Sequence, residues 1–142
     1  MKSKLYVPVD EAKKAALAVL LHNARGPYRS LPRVAGWGYP EPYTRDLMIA
    51  SLGILVSGNE ELIVSLRQVF TALACTQSRL GHIASLAHDS EDRGASDTTP
   101  LFLFALALYR QVTGESDFLE EAAQKALTWM EYQSPDDSVM VA

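Results

Sequence analysis

Arg93-Gly-Ala-Ser-Asp-Thr-Thr-Pro-Leu-Phe-Leu-Phe-Ala-Leu-Ala-Leu-Tyr109 decides the fold class. Leu101 to Leu108 holds only Leu, Phe and Ala, so no polar stripe is visible over two helical turns. A helix apolar on every face is a buried helix, and this run is too short to span a bilayer. Thr98 or Thr99 is expected to cap it, with Pro100 in its first turn, where a missing N–H costs nothing. Asp97 then stands at the rim of a buried helix, near the positive end of its dipole. The plainer reading of Asp97 is an N-cap residue.

Working back toward the N-terminus, the polar segment from Gln77 to Ser96 carries Gly81, His82, His88, Asp89, Glu91, Asp92 and Gly94 and reads as a loop. Glu60 to Thr76 reads as an amphipathic helix, Leu62, Leu66, Val69, Phe70 and Leu73 inward, Arg67 and Gln68 outward. Asn59 is its cap, and Ser57-Gly58 closes the helix before it, about Arg45 to Val56, for which Thr44 is the expected cap. Residues 26–43 form a long irregular segment with Pro27, Pro32, Pro40 and Pro42, yet they also hold Tyr28, Trp37, Tyr39 and Tyr43. An aromatic-rich loop of this length points to binding; the alternative is a loop that buries its own rings against the core. Before it, Asp10 is expected to cap a helix that carries Leu17, Leu20 and Leu21 and ends near Gly26-Pro27. Beyond the apolar run, Thr113-Gly114 is a stop, and Ser116 or Asp117 is expected to cap a last helix to about Tyr132, with Phe118, Leu119, Ala122, Ala126, Leu127, Trp129 and Met130 as its apolar side.

The pattern repeats. Leu52 to Leu62 and Leu106 to Leu119 each join an apolar helix to an amphipathic one through a tight Ser/Thr-Gly turn. The reading is all-α: one domain over 1–142, with stacked αα-hairpins at about 44–76 and 98–132. Inner helices covered on all sides and outer helices wet on one side satisfy both patterns, with the long loops gathered at one end. That end is where a site would be built.

Composition narrows the function. In 142 residues, the net charge of -4 offers no basic footprint, so neither nucleic acid nor an anionic membrane is an expected partner. Cys75 is alone, which leaves no intrachain disulfide, and it reads as a small core residue. No apolar run follows Lys2 and Lys4, so a signal peptide is not expected and the cytoplasm is the default. His22, His82 and His88 lack metal-ligand spacing, and Asp89-Ser-Glu-Asp92 lacks the glycine and terminal glutamate of a calcium loop, reading instead as a solvated acidic turn.

Gly36-Trp-Gly-Tyr-Pro-Glu-Pro-Tyr-Thr-Arg-Asp46 resembles the segment of the six-hairpin (α/α)-toroid glycosidases in which an aromatic residue precedes an Arg-Asp pair at the start of an inner helix. Arg79-Leu-Gly-His-Ile-Ala-Ser85 resembles that family's Gly-x-Ile-Pro loop, with Ala84 where proline is common. Ser96 to Phe102, with Tyr109 and Thr113-Gly114, is similar to its Asp-led inner helix. The resemblance covers about residues 36 to 132 and points toward amylo-α-1,6-glucosidases and neutral/alkaline invertases. It implies an incomplete (α/α)6 toroid acting on or binding α-glucosides; separately, no cofactor and no metal are expected. Asp97 would be the general acid, and Arg45 and Asp46 would bind sugar hydroxyls. Trp37, Tyr39 and Tyr43, with His82, would complete the substrate site.

The chemistry sets conditions. Glycoside cleavage needs one protonated carboxyl and a second carboxylate across the sugar, roughly 6.5–9.5 Å away in inverting enzymes. A helix N-terminus opposes protonation of Asp97, so burial or a neighbouring acid (Asp89, Glu91 or Asp92) would have to outweigh it. The family's second carboxylate lies on a later hairpin, and Glu41 or Glu91 would replace it only by coincidence. The sequence therefore reads as a partial glycosidase domain, with a non-catalytic hairpin module that binds carbohydrate or a protein partner as the alternative, and a helical-repeat scaffold as a third. Apolar helices lacking neighbouring hairpins would expose large faces, so a homo-oligomer, or the rest of a longer chain, is expected to cover them.

Overall fold

The structure is a computed structural model that describes residues 6–34 and 38–134. Five helices occur in them: α1 (Tyr6–Asn23), α2 (Thr44–Ser57), α3 (Glu60–Thr76), α4 (Thr98–Thr113) and α5 (Glu120–Gln133). Strand-like pairing among the described residues is confined to one isolated antiparallel bridge, Tyr43 to Leu86. The chain is all-α. α2–α3 and α4–α5 form two hairpins whose first helices pack on each other, while α1 lies against α3.

The hairpin turns follow the Ser/Thr-Gly chemistry. Gly58 and Gly114 both sit in the left-handed region (φ 63° and 77°), where a residue without Cβ ends a helix at least cost. Asn59 accepts a hydrogen bond from the Leu62 N–H at 3.1 Å and so caps α3 as expected. Beneath the hairpins, Leu62, Leu66, Val69, Phe70 and Leu73 of α3 are buried at helical spacing. Phe70 meets the edges of Phe102 and Tyr109 of α4, with ring centroids 5.9 and 5.5 Å apart. At the turn end Glu115 accepts from Arg67 (3.1 Å) and from the Tyr109 hydroxyl (3.0 Å), and Arg67 lies over the Phe118 ring. Burial, then the bond to Glu115, holds the Tyr109 hydroxyl above the ordinary phenol range.

Four expectations about helix starts are corrected. α1 begins at Tyr6, not at Asp10, because Pro8 falls in the first turn, where no intrahelical N–H bond is lost. Thr44 is not a cap: it is helical, and its hydroxyl donates to the Ala84 carbonyl at 2.7 Å. Neither Thr98 nor Thr99 caps α4, since both hydroxyls bond Ile83 of the preceding loop instead. α5 starts at Glu120 rather than after Ser116 or Asp117. Its start is delayed because Arg110 captures the Phe118 carbonyl with two N–H groups (2.9 and 2.7 Å), and Leu119 turns through φ 57°.

Two burial expectations also fail. The apolar run of α4 is not covered all round: Phe104 is 55% exposed, and Val112, one turn beyond the run, is equally so. α2 likewise exposes Ile49, Leu52 and Val56. No described element packs on these stripes. Cys75 is exposed rather than in the core, because it is seven residues beyond Gln68 and shares the solvent stripe of α3.

Candidate functional site

The two long loops meet at one end of the hairpins, as the repeat pattern predicts. Besides the Tyr43–Leu86 bridge, the Thr44 N–H donates to the Ser85 carbonyl (2.8 Å) and the Ala87 N–H to the Pro42 carbonyl (3.1 Å). Asp92 organises the second loop from within. Its Oδ2 accepts from the backbone N–H groups of Ser85, of Leu86 (3.2 Å) and of Gly94 (3.1 Å). The acidic turn is therefore structural at Asp92, not merely solvated. Thr98 and Thr99 fasten the same loop to α4: the Thr98 hydroxyl donates to the Ile83 carbonyl (2.7 Å), and Thr99 Oγ1 accepts from the Ile83 N–H (3.0 Å). Loop residues 83–85 thus touch the starts of both α2 and α4, so these helices run parallel with their N-termini side by side.

Asp97 and Arg45 meet at that junction. Arg45 Nε donates to Asp97 Oδ2 at 2.5 Å, and its Nη2 to Oδ1 at 3.1 Å, a fork-on-fork pair. Asp97 makes no cap bond. Hydrogen bonding to Arg45 lowers its pKa more than burial raises it, with the Arg45 charge adding to the effect, so the carboxyl is held below the ordinary aspartate range. Among the described residues no acidic neighbour contributes a raising influence. The burial that would favour a protonated Asp97 is outweighed by its pairing with Arg45.

The other candidate residues divide. Asp46 follows Arg45 by about 100° around α2 and faces a different cleft, lined by Asn23, Pro32 and Leu47. Asp46 thus lines a cleft that Arg45 does not, though its charge still reaches Arg45. Tyr39 and Tyr43 are exposed at 59% and 36%, so their rings are not spent on the core, and Tyr43 precedes α2 at its extended N-cap position. Trp37 lies outside the described residues. His82 is half-buried and stacks face to face on Trp129 of α5, centroids 4.4 Å apart and planes 2° from parallel, with Nε2 3.3 Å from the Ala95 carbonyl. Tyr28 and His88 make a second such stack at 4.4 Å. Trp129 was read from sequence only as part of an apolar helix face. Its neighbour at this end is 47 positions away, and no local spacing signals the pairing.

Neither Glu41 nor Glu91 bonds to Asp97 or Arg45. Among the described residues no group of three or more His, Cys, Asp or Glu is placed to hold a metal ion, and no helix is long and apolar enough to cross a membrane. Comparison with family models, curated proteins and solved structures finds no match to this chain.

Proposed function

We propose that the chain is a carbohydrate-binding helical-hairpin module of six-hairpin-toroid design that does not cleave its ligand. The observation that carries this reading is the bidentate Arg45–Asp97 pair at the heads of two parallel helices. A carboxyl held below the ordinary aspartate range is poorly suited to protonating a leaving oxygen, and among the described residues no second carboxylate pairs with it. The same pair, half exposed (side chains 55% and 40%), presents charged donors and acceptors in a fixed plane, the equipment for vicinal hydroxyls of an α-glucoside. Tyr39 and Tyr43 lie exposed just before α2 as stacking faces. The unpartnered stripes of α2 and α4 favour self-association of this module, or its packing on further hairpins.

Titration with maltose, followed by backbone amide NMR, tests the reading. Shifts centred on Arg45 and Asp97 are expected, lost in Arg45→Met and weakened in Asp97→Asn, whose amide keeps only one acceptor of the fork. The wild-type chain is expected to leave 4-nitrophenyl α-glucoside intact. Turnover that Asp97→Asn abolishes would overturn the reading in favour of a glycosidase.

A further inference from the structure

A cleft of about 300 Å³ opens between α5 and the loop before α4, separate from the Arg45–Asp97 fork. Trp129, Met130 and Pro100 supply its apolar walls, and Arg93 stands among the lining residues. Arg93 is exposed and makes no ion pair with any described residue. Gln133 and Ser96 add side-chain polar groups that carry no hydrogen bond to any described residue.

The cleft is held by contacts that glycine alone permits. At Gly81 (φ 101°) a Cβ would fall 2.0 Å from the Lys125 carbonyl oxygen of α5. At Gly94 (φ 73°) it would fall 2.3 Å from the Ile83 carbonyl oxygen and 2.8 Å from His82 Nε2. The two glycines thus press the loop onto α5, clamp the His82 ring against Trp129, and fix the indole as a wall of the cleft. A rigid aromatic wall needs no ordering when a flat ligand stacks on it.

The chemistry of the walls selects the ligand. A sugar ring requires polar partners around its rim, whereas this lining is mostly apolar with a few polar side chains, Arg93 the charged one that makes no ion pair with any described residue. We propose that the cleft binds a small aromatic carboxylate, its ring stacked on Trp129 and packed by Met130 and Pro100, its carboxylate on the Arg93 guanidinium. Arg suits this role because its planar fork takes both carboxylate oxygens at once.

The experiment is a titration of the intact chain with 2-naphthoate and with the neutral 2-naphthamide, followed at the Trp129 indole N–H by ¹H–¹⁵N NMR. The resonance is assigned by its disappearance in Trp129→Phe. A saturable shift is expected, with naphthoate binding at least tenfold more tightly than naphthamide. Arg93→Gln, an exposed substitution that leaves the remaining spectrum in place, is expected to remove that preference. Equal binding of acid and amide, no saturable shift at Trp129, or a preference that survives Arg93→Gln would each overturn the assignment. So would displacement of naphthoate by maltose, which would make the cleft part of the sugar site. Because maltose is read at Arg45 and Asp97, failure of either proposal leaves the other standing.

Discussion

At the scale of single residues, the Arg45–Asp97 pair makes a prediction about pH. The folded-state pKa of Asp97 lies below its unfolded value, so the pair stabilises the fold fully above the ordinary carboxylate range. That contribution is lost as pH falls toward and through the depressed value. Both side chains are substantially exposed, so solvent screening keeps the contribution small. Wild type and Arg45→Met are expected to differ in urea midpoint at neutral pH and to converge in acid, and the Asp97 carboxyl carbon in Arg45→Met should titrate at higher pH. Equal titration in both proteins would show that the fork does not persist in solution. Thr98 illustrates a different residue-scale effect, since its buried hydroxyl donates to the Ile83 carbonyl. Thr98→Val leaves that acceptor without its hydroxyl partner and is expected to cost about 1–3 kcal/mol in urea unfolding.

At the scale of elements, two glycines with opposite surroundings should respond in opposite directions. Gly53 lies inside α2, and a Cβ there would meet nothing within 4 Å. Gly53→Ala is expected to stabilise the chain by about 0.5–1 kcal/mol through helix propensity and reduced unfolded-state entropy. Gly81→Ala meets the α5 backbone and a positive φ, so strain alone should cost about 1–3 kcal/mol and release Trp129 from its stack. Thermal melts with near-ultraviolet circular dichroism read both effects at once. The segment 77–96 is the element whose role was least visible in its residues. Its histidines and acids look solvated one by one, yet Asp92 and Gly94 fix the loop from within, and Gly81 and His82 fasten it to α5.

At the scale of the molecule, the core and the uncovered faces should separate in experiment. Phe70 is fully buried between Phe102 and Tyr109, so Phe70→Ala is expected to cost about 3–5 kcal/mol, a large part of a typical domain's stability. Phe104 lies on the uncovered stripe of α4, and Phe104→Glu should change the stability of a single chain by no more than about 0.5 kcal/mol. If copies cover that stripe, light scattering gives a mass above the 15.6 kDa of one chain, and Phe104→Glu returns it to that value. A wild-type chain already at 15.6 kDa would sink the self-association reading.

The extent of α3, its buried stripe, its Asn59 cap and the glycine stops at Gly58 and Gly114 were all legible in the residues. Each depends on interactions within a few positions, such as helical periodicity, a cap three residues away or a left-handed φ at a turn. The all-α class and the gathering of long loops at one end followed from the same local rules applied twice. What the sequence could not decide was where Thr44, Thr98 and Thr99 direct their hydroxyls, since a threonine before a helix can serve a cap or a distant carbonyl equally well. Nor could it decide that Asp97 turns to Arg45 across 52 positions, that Asp46 lines a cleft that Arg45 does not, or that His82 finds Trp129. Those outcomes belong to the tertiary structure, because ionisation, stacking and exposure depend on which distant groups the packing of α2, α4 and α5 brings within a few ångströms.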